Sequence, residues 1–344
     1  MLDSSLKHKR SDPLLISELN SIRTESRFRR HFLIPYVYGI IIDFGPVFLL
    51  ISYTFLLYEK VFPTNIITIV IGLILFFLSL WFMYIIFIRV KQFKVNTTEL
   101  NLGKGKLKVV YFSDLHAGIE TFGAKEKKIK ELVDKINEQN PDLVLWGGDL
   151  LTEYLDESAI EALKILNEIK CEYKYGVLGN HDSYYLNNGG YMELPREFIH
   201  IFRQNSNIKL LINEKVKLNI KGVVVNISGI ADLSSKLIDL NKVEPLKDND
   251  SELSILLSHN PDITDFILKE DKIDLILSGH NHAGQILLPI LGVVLPMPSH
   301  HKEYLRGVYQ IDPDTKLFVS QGAGVSGTRV RIGTDCEINV LEIS

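Results

Sequence analysis

Two long apolar stretches near the start of the chain limit its possible folds more than any other feature. Residues 33–58 contain a single charged residue, Asp43, to which no role is assigned, and residues 64–88 contain none. A helix crosses the bilayer core, ~30 Å thick, with about 20 apolar residues, and each stretch reaches that length. Only the segment 59–63 separates them. We therefore predict two membrane-spanning helices joined by a tight turn, because uncharged runs of this length are disfavoured in the core of a soluble domain.

Positive charge is concentrated at the outer ends of this pair of stretches. Lysine and arginine near a membrane segment favour the cytoplasmic side, so both ends and the large C-terminal region are predicted to face the cytoplasm. The alternative is export, because Arg29-Arg30 precedes the first stretch and resembles a twin-arginine signal. The flanking basic residues are Lys7, Lys9, Arg10, Arg23, Arg27, Arg29 and Arg30 on one side, Arg89, Lys91 and Lys94 on the other, and Lys60 alone between the stretches.

Charge and cysteine content exclude several classes of protein. The 344 residues carry a net charge of −4 and show no domain-wide basic stripe, so no nucleic-acid partner is expected. The two cysteines, Cys171 and Cys336, are far apart and form no CxxC pair. This argues against a disulfide framework and suits a reducing compartment. The sequence leaves the oligomeric state open.

After a short polar linker, apolar runs typical of strands alternate with helical periodicity. In residues 125–139 apolar side chains recur at helical spacing, and Pro141 follows the end of that helix. Such alternation argues for α/β layering, in which ligand sites form in loops beyond the carboxyl ends of the strands. The predicted strands cover residues 108–112, 143–146, 175–178, 223–227, 253–257, 275–277, 317–319 and 338–341, with further helices at 159–169 and around 265–268.

Polar residues of a similar kind follow five of these strands. Each strand end delivers aspartate, asparagine or histidine, and glycine accompanies three of the five. A single aspartate after a strand is usually a cap or turn residue, but five such segments are hard to explain in that way. In order they are Ser113-Asp114-Leu115-His116, Gly147-Gly148-Asp149, Gly179-Asn180-His181-Asp182, Ser258-His259-Asn260-Pro261-Asp262 and Gly279-His280-Asn281-His282.

The donor atoms in these segments suit divalent metal ions. Carboxylate, amide oxygen and imidazole together favour manganese, iron or zinc, and the lack of a thiolate disfavours a structural zinc site. The donors outnumber what one ion needs, so we predict two ions about 3.5–4 Å apart, with manganese preferred and iron or zinc as alternatives. The glycines would let the loop backbones approach these ions closely.

In these segments the chain resembles the calcineurin-like metallophosphoesterase superfamily. The motifs of that superfamily, D-x-H, G-D, G-N-H-D, a single H and G-H-x-H, occur in this order between Asp114 and His282. Residues 259–262, 279–285 and 319–327 also resemble a bacterial membrane-associated branch that includes UDP-2,3-diacylglucosamine pyrophosphatases.

Two positions depart from that branch. Ala283 stands where glycine is usual, which adds one methyl group, and Gln321 stands where arginine is frequent, so no direct phosphate contact is assigned to it. Arg329 and Arg331 are candidate contacts for an anionic substrate, although an exposed cation is the ordinary interpretation of each.

The resemblance implies a four-layer α-β-β-α sandwich and a role for each polar residue. A hydroxide between the two ions would attack phosphorus, His181 matches the catalytic histidine, and Asp182 would orient it. The implied ligands are Asp114, His116 and His282 for the first ion, Asn180, His259 and His280 for the second, and Asp149 as the bridge.

These expectations combine into one functional hypothesis. The chain is predicted to be a phosphoesterase of the bacterial inner membrane that cleaves a phosphodiester or pyrophosphate bond, with UDP-2,3-diacylglucosamine, a nucleotide-sugar lipid of lipid A synthesis, as the specific candidate. Alternatives are a broad-specificity phosphodiesterase or phosphomonoesterase, an exported cell-envelope enzyme, or an inactive regulatory module, against which the complete ligand set argues. The predicted organisation is a basic tail at 1–32, a transmembrane hairpin at 33–90 with helices at about 33–58 and 64–89, a linker at 91–106 and the phosphoesterase domain at 107–344.

Overall fold

A computed structural model gives the fold and describes most of the chain beyond the basic tail. The predictions for the tail at 1–32, including Arg29-Arg30, and for the turn at 59–63 lie outside the described residues. The described residues are 34–58, 65–88, 90, 92–117, 126–151, 157–187, 190–193, 196–235, 237–242, 249–267, 269–295 and 297–344.

Two helices form where the sequence predicts the apolar pair. They are α1 (Ile34–Tyr58) and α2 (Ile66–Phe87), and a side-chain hydroxyl of α2 donates a hydrogen bond to a carbonyl of α1. Within the described residues, one helical segment, Ile66–Ile85, is long and apolar enough to cross a membrane, whereas the apolar segment Gly45–Tyr58 of α1 is shorter. The two-span hairpin therefore stays a prediction.

The rest of the described chain forms strands and short helices in alternation. The helices are α3 (Glu126–Glu138), α4 (Glu157–Leu166), α5 (Asn180–Ser183) and α6 (Arg196–Asn205). The strands are β1 (Phe93–Leu100), β2 (Leu107–Phe112), β3 (Leu143–Trp146), β4 (Lys174–Gly176), β5 (Tyr184–Asn187), β6 (Gly190–Glu193), β7 (Lys209–Leu210), β8 (Glu214–Ile220), β9 (Val223–Gly229), β10 (Leu253–Leu257), β11 (Leu275–Ser278), β12 (Leu287–Leu288), β13 (Gly292–Val293), β14 (Gly307–Gln310), β15 (Lys316–Val319) and β16 (Cys336–Ile343).

The first six-stranded sheet has the order β1-β16-β2-β3-β4-β7. Strands β2, β3, β4 and β7 are parallel, β16 is antiparallel to β2, and β1 is parallel to β16. The register pairs Phe93 with Cys336, and Asn339 with Tyr111. The amino ends of β1 and β16 therefore lie at the same edge as the carboxyl ends of β2, β3 and β4.

Strand β1 lies within the predicted linker at 91–106, so the linker prediction is wrong for this part of the chain. Its buried residues are Phe93 and Leu100 at the two ends, and the residues between them are largely polar or half-exposed, as befits an edge strand. Its pairing partner, β16, comes from the far end of the chain. The residues near β1 in sequence therefore carry no pattern that predicts the strand.

The second six-stranded sheet has the order β14-β15-β11-β10-β9-β8, and it packs against the first. Side chains alternate between the two faces of each strand. In β2, Val109 and Tyr111 join the core between the sheets, whereas Val110 and Phe112 face the core beneath the helices. This double burial explains why the central strands read as continuous apolar runs.

The two outer layers of the sandwich differ in kind. Apolar residues of α3 and α4 cover the outer face of the first sheet. Ile263 and Phe266 cover part of the second sheet, and they belong to a 3₁₀ helix, Pro261–Phe266, rather than to an α-helix. That helix starts at the cap of Asn260 and ends where the Ile267 N–H bonds to the carbonyl of Thr264. The fold is thus a mixed α/β sandwich whose fourth layer, among the described residues, consists of 3₁₀ turns and loops instead of the expected α-helices.

Candidate metal centre

The five polar segments predicted from the sequence meet at one end of the sandwich. The Asp114 N–H donates to the carbonyl of Gly148 at 2.8 Å, which joins the ends of β2 and β3. The Gly279 N–H donates to the carbonyl of His259 at 2.9 Å, which joins the ends of β10 and β11. The His280 N–H reaches Oδ1 of Asp114 at 3.1 Å and so links the two sheets.

One group of buried donors contains Asp114, His116 and His282. Nε2 of His282 lies 3.3 Å from Oδ1 of Asp114 and 3.0 Å from Nε2 of His116. These three residues are the ligands that the resemblance assigns to the first ion.

A second group contains Asn180, His259 and His280. Nε2 of His259 lies 3.1 Å from Oδ1 of Asn180 and 3.1 Å from Nδ1 of His280. These are the residues assigned to the second ion.

Asp149 lies between the two groups. Its Oδ2 is 3.1 Å from Nε2 of His259 and 3.7 Å from Nε2 of His116, so the same oxygen faces both groups. This placement is what a bridging carboxylate requires. The structure thus brings all seven predicted ligands together, while their binding of metal stays a prediction.

Backbone carbonyls fix which nitrogen of two histidines faces the cluster. Nδ1 of His116 lies 3.1 Å from the carbonyl of Leu151, and Nδ1 of His259 lies 2.8 Å from the carbonyl of Gly147. Each Nδ1–H donates to its carbonyl, so Nε2 faces the cluster and offers a lone pair to an ion, directly in neutral His116 and after loss of the Nε2 proton in His259. Carboxylates, an amide and imidazole lone pairs converging on common points form a donor set that fits divalent cations.

Backbone strain is concentrated at the same residues. A positive φ is uncommon outside glycine and costs on the order of 1–3 kcal/mol for each residue. Ala283, which stands where glycine is usual in the bacterial branch, is also buried at a φ of 49°. Five of the seven predicted ligands have this conformation: Asp114 (54°), His116 (49°), Asp149 (55°), His280 (71°) and His282 (48°).

Two glycines provide the clearance that the sequence predicts. A Cβ on Gly179 would overlap Oδ1 of Asp149, and a Cβ on Gly279 would overlap Oδ2 of Asp114. Neither glycine has a positive φ, so the requirement at both positions is space. The glycines thus leave room for the carboxylates of Asp149 and Asp114, while their role in the approach to metal ions stays a prediction.

The cluster carries mixed charge in the absence of metal. Burial alone would lower the pKa of His259, but the carboxylates of Asp149 and Asp114 raise it to about 10. Burial raises the pKa of Asp114 to about 6, whereas His259 and His181 hold the pKa of Asp149 well below its usual range against the effect of burial. Burial and the neighbouring His181 lower the pKa of His116 to about 3. A protonated His259 between two carboxylates therefore holds a positive charge where the second ion is expected.

The predicted catalytic pair has a different arrangement from the one expected. His181 is half-buried at the rim of the cluster. Its backbone N–H donates to Oδ1 of Asp149 at 2.8 Å, and its ring lies edge-on to that of His116, with the ring centroids 4.9 Å apart. Asp182 accepts the N–H of Leu151 and the N–H of Gly179, both at 2.9 Å. Asp182 therefore fixes the two loops around His181 rather than its imidazole, and the prediction that Asp182 orients the ring directly is wrong.

Three residues around the cluster have an environment that the sequence did not reveal. Arg331 is only 1% exposed, so its interpretation as an exposed cation is wrong. Gln321 is buried and accepts a hydrogen bond from Arg306 while donating to Glu337, which gives it a structural role. Asp232 is buried after β9 and helps to raise the pKa of His259. Asp232 had a signal in the sequence, because it too is an aspartate that follows an apolar strand.

The calcineurin-like phosphoesterase family matches residues 107–284, which include all five segments and a little over half of the chain. The chain therefore belongs to the calcineurin-like phosphoesterase family.

Similar proteins include an uncharacterized metallophosphoesterase of Campylobacter jejuni, 30% identical over 268 residues that cover 74% of this chain and 64% of that protein. One of Helicobacter pylori is 31% identical over 258 residues, covering 73% of this chain and 64% of that protein. A Danio rerio transmembrane protein with metallophosphoesterase domain is 29% identical over 260 residues, covering 73% of this chain and 56% of that protein. The alignments thus span less than two thirds of the length of each of these relatives.

Proposed function

We propose that this protein is a membrane-anchored hydrolase of phosphodiester or pyrophosphate bonds that works with two divalent metal ions. The observation that carries the proposal is the position of Asp149, whose Oδ2 faces His116 in one donor group and His259 in the other. Manganese is the first metal to test, with iron and zinc as alternatives, because each accepts this mixture of oxygen and nitrogen donors.

The residues of the centre would have different roles in hydrolysis. Two bound ions would lower the pKa of water and neutralise charge that develops on the phosphoryl oxygens. Asp149 would hold the two sites in register, and the carbonyls of Leu151 and Gly147 would keep His116 and His259 in the binding tautomer. His181 at the half-buried rim would donate a proton to the leaving oxygen.

The exposure of α2 supports a membrane anchor. Its large apolar side chains lie on the surface, with Phe77 64% and Ile74 60% exposed, and only 6% of its most apolar segment is buried. A core helix of a soluble protein would be covered, so a bilayer is the natural surrounding for this one. The zebrafish relative is named a transmembrane protein, which agrees with an anchor.

An anchor favours substrates that reside in the same membrane. Tethering raises the effective concentration of the centre near amphiphilic phosphoesters. The resemblance of the motifs makes UDP-2,3-diacylglucosamine the first candidate, and a cytoplasmic centre at the bacterial inner membrane suits a nucleotide-sugar lipid. A broad-specificity phosphodiesterase or phosphomonoesterase is the second candidate, and the exported topology is the alternative placement.

A substrate panel tests the proposal. Full-length protein loaded with Mn²⁺ is assayed on bis-p-nitrophenyl phosphate, p-nitrophenyl phosphate and UDP-2,3-diacylglucosamine, with a metal-free sample beside it. Metal-dependent cleavage of a diester or pyrophosphate supports the enzyme class. Turnover of the simple esters alone would rule out the lipid A substrate, and no turnover of any of the three would contradict the hydrolase.

A further inference from the structure

The hairpin formed by β12 and β13 exposes large apolar side chains next to the metal centre. We call residues 287–294 the apolar hairpin. Ile290 is 105% exposed and Leu291 is 75% exposed, which makes them the most exposed large apolar residues in the described part of the chain outside α1 and α2. A pair of adjacent, largely solvated aliphatic side chains at the tip of a hairpin contributes little to the core and is typical of a contact with another body.

The backbone of the tip strengthens this conclusion. Ile290 has a φ of 73°, and the Leu291 N–H bonds to the carbonyl of Pro289 at 2.9 Å. A β-branched residue at positive φ is a strained choice where glycine or asparagine would serve a turn in water. Folding of the isolated domain gives no reason for isoleucine at this position.

The base of the apolar hairpin is fixed to the metal centre. The Leu287 N–H donates to the carbonyl of Ile332 at 2.8 Å, and the Val294 N–H donates to the carbonyl of Ile286 at 2.9 Å. Ile286 is 5% exposed and lies four positions after the predicted ligand His282. The tip therefore projects from the loop that carries the ligands, at a fixed place beside the cluster.

The end of α2 lies at this same end of the sandwich. Phe93 pairs with Cys336 at the amino ends of β1 and β16, next to the carboxyl end of β2 where Asp114 lies. The Cys336 thiol donates to the carbonyl of Val90 at 3.3 Å. Ile85 of α2 is fully buried in the same apolar cluster as Ile286 at the base of the hairpin. The chain thus leaves the membrane-length helix on the side of the domain that carries both the hairpin and the centre.

Exposed cations accompany the apolar tip. Lys127 stands at the amino end of α3, which follows β2, and Lys302 and Arg306 lie in the loop before β14. Exposed aliphatic side chains that share one end of a domain with lysine and arginine are typical of surfaces that rest on anionic bilayers, where the tip enters the acyl boundary and the cations meet the headgroups.

We propose that the apolar hairpin inserts Ile290 and Leu291 into the surface of the bilayer that α2 crosses, so that the metal centre faces the membrane. The inference rests on the proposed membrane anchor. It narrows the substrate class to phosphoesters whose headgroup lies at the bilayer surface while their apolar part stays in the lipid.

Fluorescence quenching in lipid nanodiscs tests this orientation. The probe is Leu291→Trp, with Ile290→Trp as a second probe, in full-length protein that also carries Trp81→Phe so that the native tryptophan of α2 does not contribute to the quenched emission. The protein is placed in nanodiscs of phosphatidylcholine and phosphatidylglycerol with or without brominated acyl chains. We expect the added tryptophan to emit at shorter wavelength than in water and to lose most of its emission in brominated discs. The matched control is Lys106→Trp, an exposed position at the amino end of β2 and thus at the opposite end of the sandwich, which should not be quenched.

The emission of the native Trp81 in α2 tests the membrane anchor separately from the insertion of the hairpin. Quenching of wild-type emission by brominated lipid reports the anchor, because Trp81 is 45% exposed on α2 whereas Trp146 is buried in the domain. Quenched wild type with unquenched probes at 290 and 291 would overturn the hairpin proposal and leave the anchor standing. A shift to shorter wavelength without quenching would indicate contact with protein, such as a second copy, and would also overturn it. Unquenched wild type would instead overturn the anchor itself.

Discussion

Nη2 of Arg331 lies 3.0 Å from Nδ1 of His282. A guanidinium group has only donors, so Nδ1 of His282 accepts and the proton of the neutral ring lies on Nε2. That Nε2 is 3.0 Å from Nε2 of His116, whose own proton is held on Nδ1 by the carbonyl of Leu151. The two rings are therefore joined by an N–H···N hydrogen bond at the point where the first ion is expected. His282 differs in this from His116 and His259, in both of which Nδ1 donates to a backbone carbonyl.

Replacing Arg331 should affect both folding and the first metal site. The side chain also donates to the carbonyls of Gln321 and Gly324, each at 2.7 Å, and Arg331→Met leaves these buried acceptors unpaired. Each such loss costs about 1–3 kcal/mol, so we expect the free energy of unfolding to fall by roughly 3 kcal/mol. Metal content measured by mass spectrometry should drop from two ions toward one, because Arg331 also donates to the carbonyl of His282 at 3.3 Å and so holds the loop that carries this ligand. Arg203→Met, which removes an exposed arginine, is the control and should change neither quantity. Two ions with full affinity in the Arg331 variant would contradict the supporting role.

Metal binding should release protons. At pH 8, His259 is protonated because its pKa is raised to about 10, and binding through Nε2 requires that proton to leave. His282 is already neutral, so it binds without releasing a proton if its proton moves from Nε2 to Nδ1, which requires the contact between Nδ1 and Arg331 to rearrange. Titration calorimetry with Mn²⁺ in buffers of different ionisation enthalpy should therefore give about one proton released by His259, in addition to any proton that ion-bound water releases.

The raised pKa of His259 also determines how metal-free stability and metal affinity change with pH. The pKa of His259 is higher in the folded, metal-free protein, about 10, than the ordinary value of about 6.5. Its contribution to metal-free stability is present below about pH 6.5 and is lost as the pH rises through about 10, while metal affinity rises over the same interval. No release of a proton on metal binding would contradict the charged state of His259.

Much of this centre follows from the sequence because its signals are local. Strands β3 and β10 are predicted to the residue, since each is a short apolar run bounded by polar or turn-forming residues. The ligands converge because the parallel strands that precede most of them end at one edge, which the α/β pattern already implies.

What the sequence does not show depends on distant partners. Strand β1 pairs with the far end of the chain, and Asp182 accepts N–H groups from Gly179, near in sequence, and Leu151, far from it. The burial of Arg331 depends on carbonyls in a loop that has no regular structure. None of these contacts leaves a periodic pattern, so propensity and motif cannot reveal them.

Removing the shared carboxylate should remove both ions. Asp149→Asn keeps the shape of the side chain but lacks the charge that His259 and His116 face. We expect loss of dinuclear metal binding and of nearly all hydrolysis, read by metal content and by the rate on bis-p-nitrophenyl phosphate. Asp134→Asn on the exposed face of α3 is the control, with metal content and rate as in wild type. An intact two-ion stoichiometry in the Asp149 variant would refute the bridge.

Removing the rim histidine should separate metal binding from turnover. His181 contacts the cluster through the edge of its ring against His116 and through its backbone N–H bond to Asp149, and a glutamine at this position preserves the backbone bond. His181→Gln should therefore retain two ions while kcat falls by about 10²–10⁴-fold, the usual contribution of a general acid. The loss should shrink on esters with a strongly acidic phenol as leaving group, because such a group needs no proton. An undiminished kcat on an alkyl ester would exclude the proton-donating role.

The space at Gly179 should be as necessary as the ligands beside it. Its φ is not in the left-handed region, so Gly179→Ala changes contact and not backbone preference, and the new methyl group would overlap Oδ1 of Asp149. The carboxylate must then turn away from His259 and His116, and we expect metal affinity to fall at least tenfold while the protein still folds, as checked by circular dichroism. Gly45→Ala is the matched control, because an added Cβ there meets no atom within 4 Å. Wild-type affinity of Gly179→Ala for both ions would contradict this prediction. It would show that the loop can move although the N–H groups of Gly179 and His181 bond to Asp182 and Asp149.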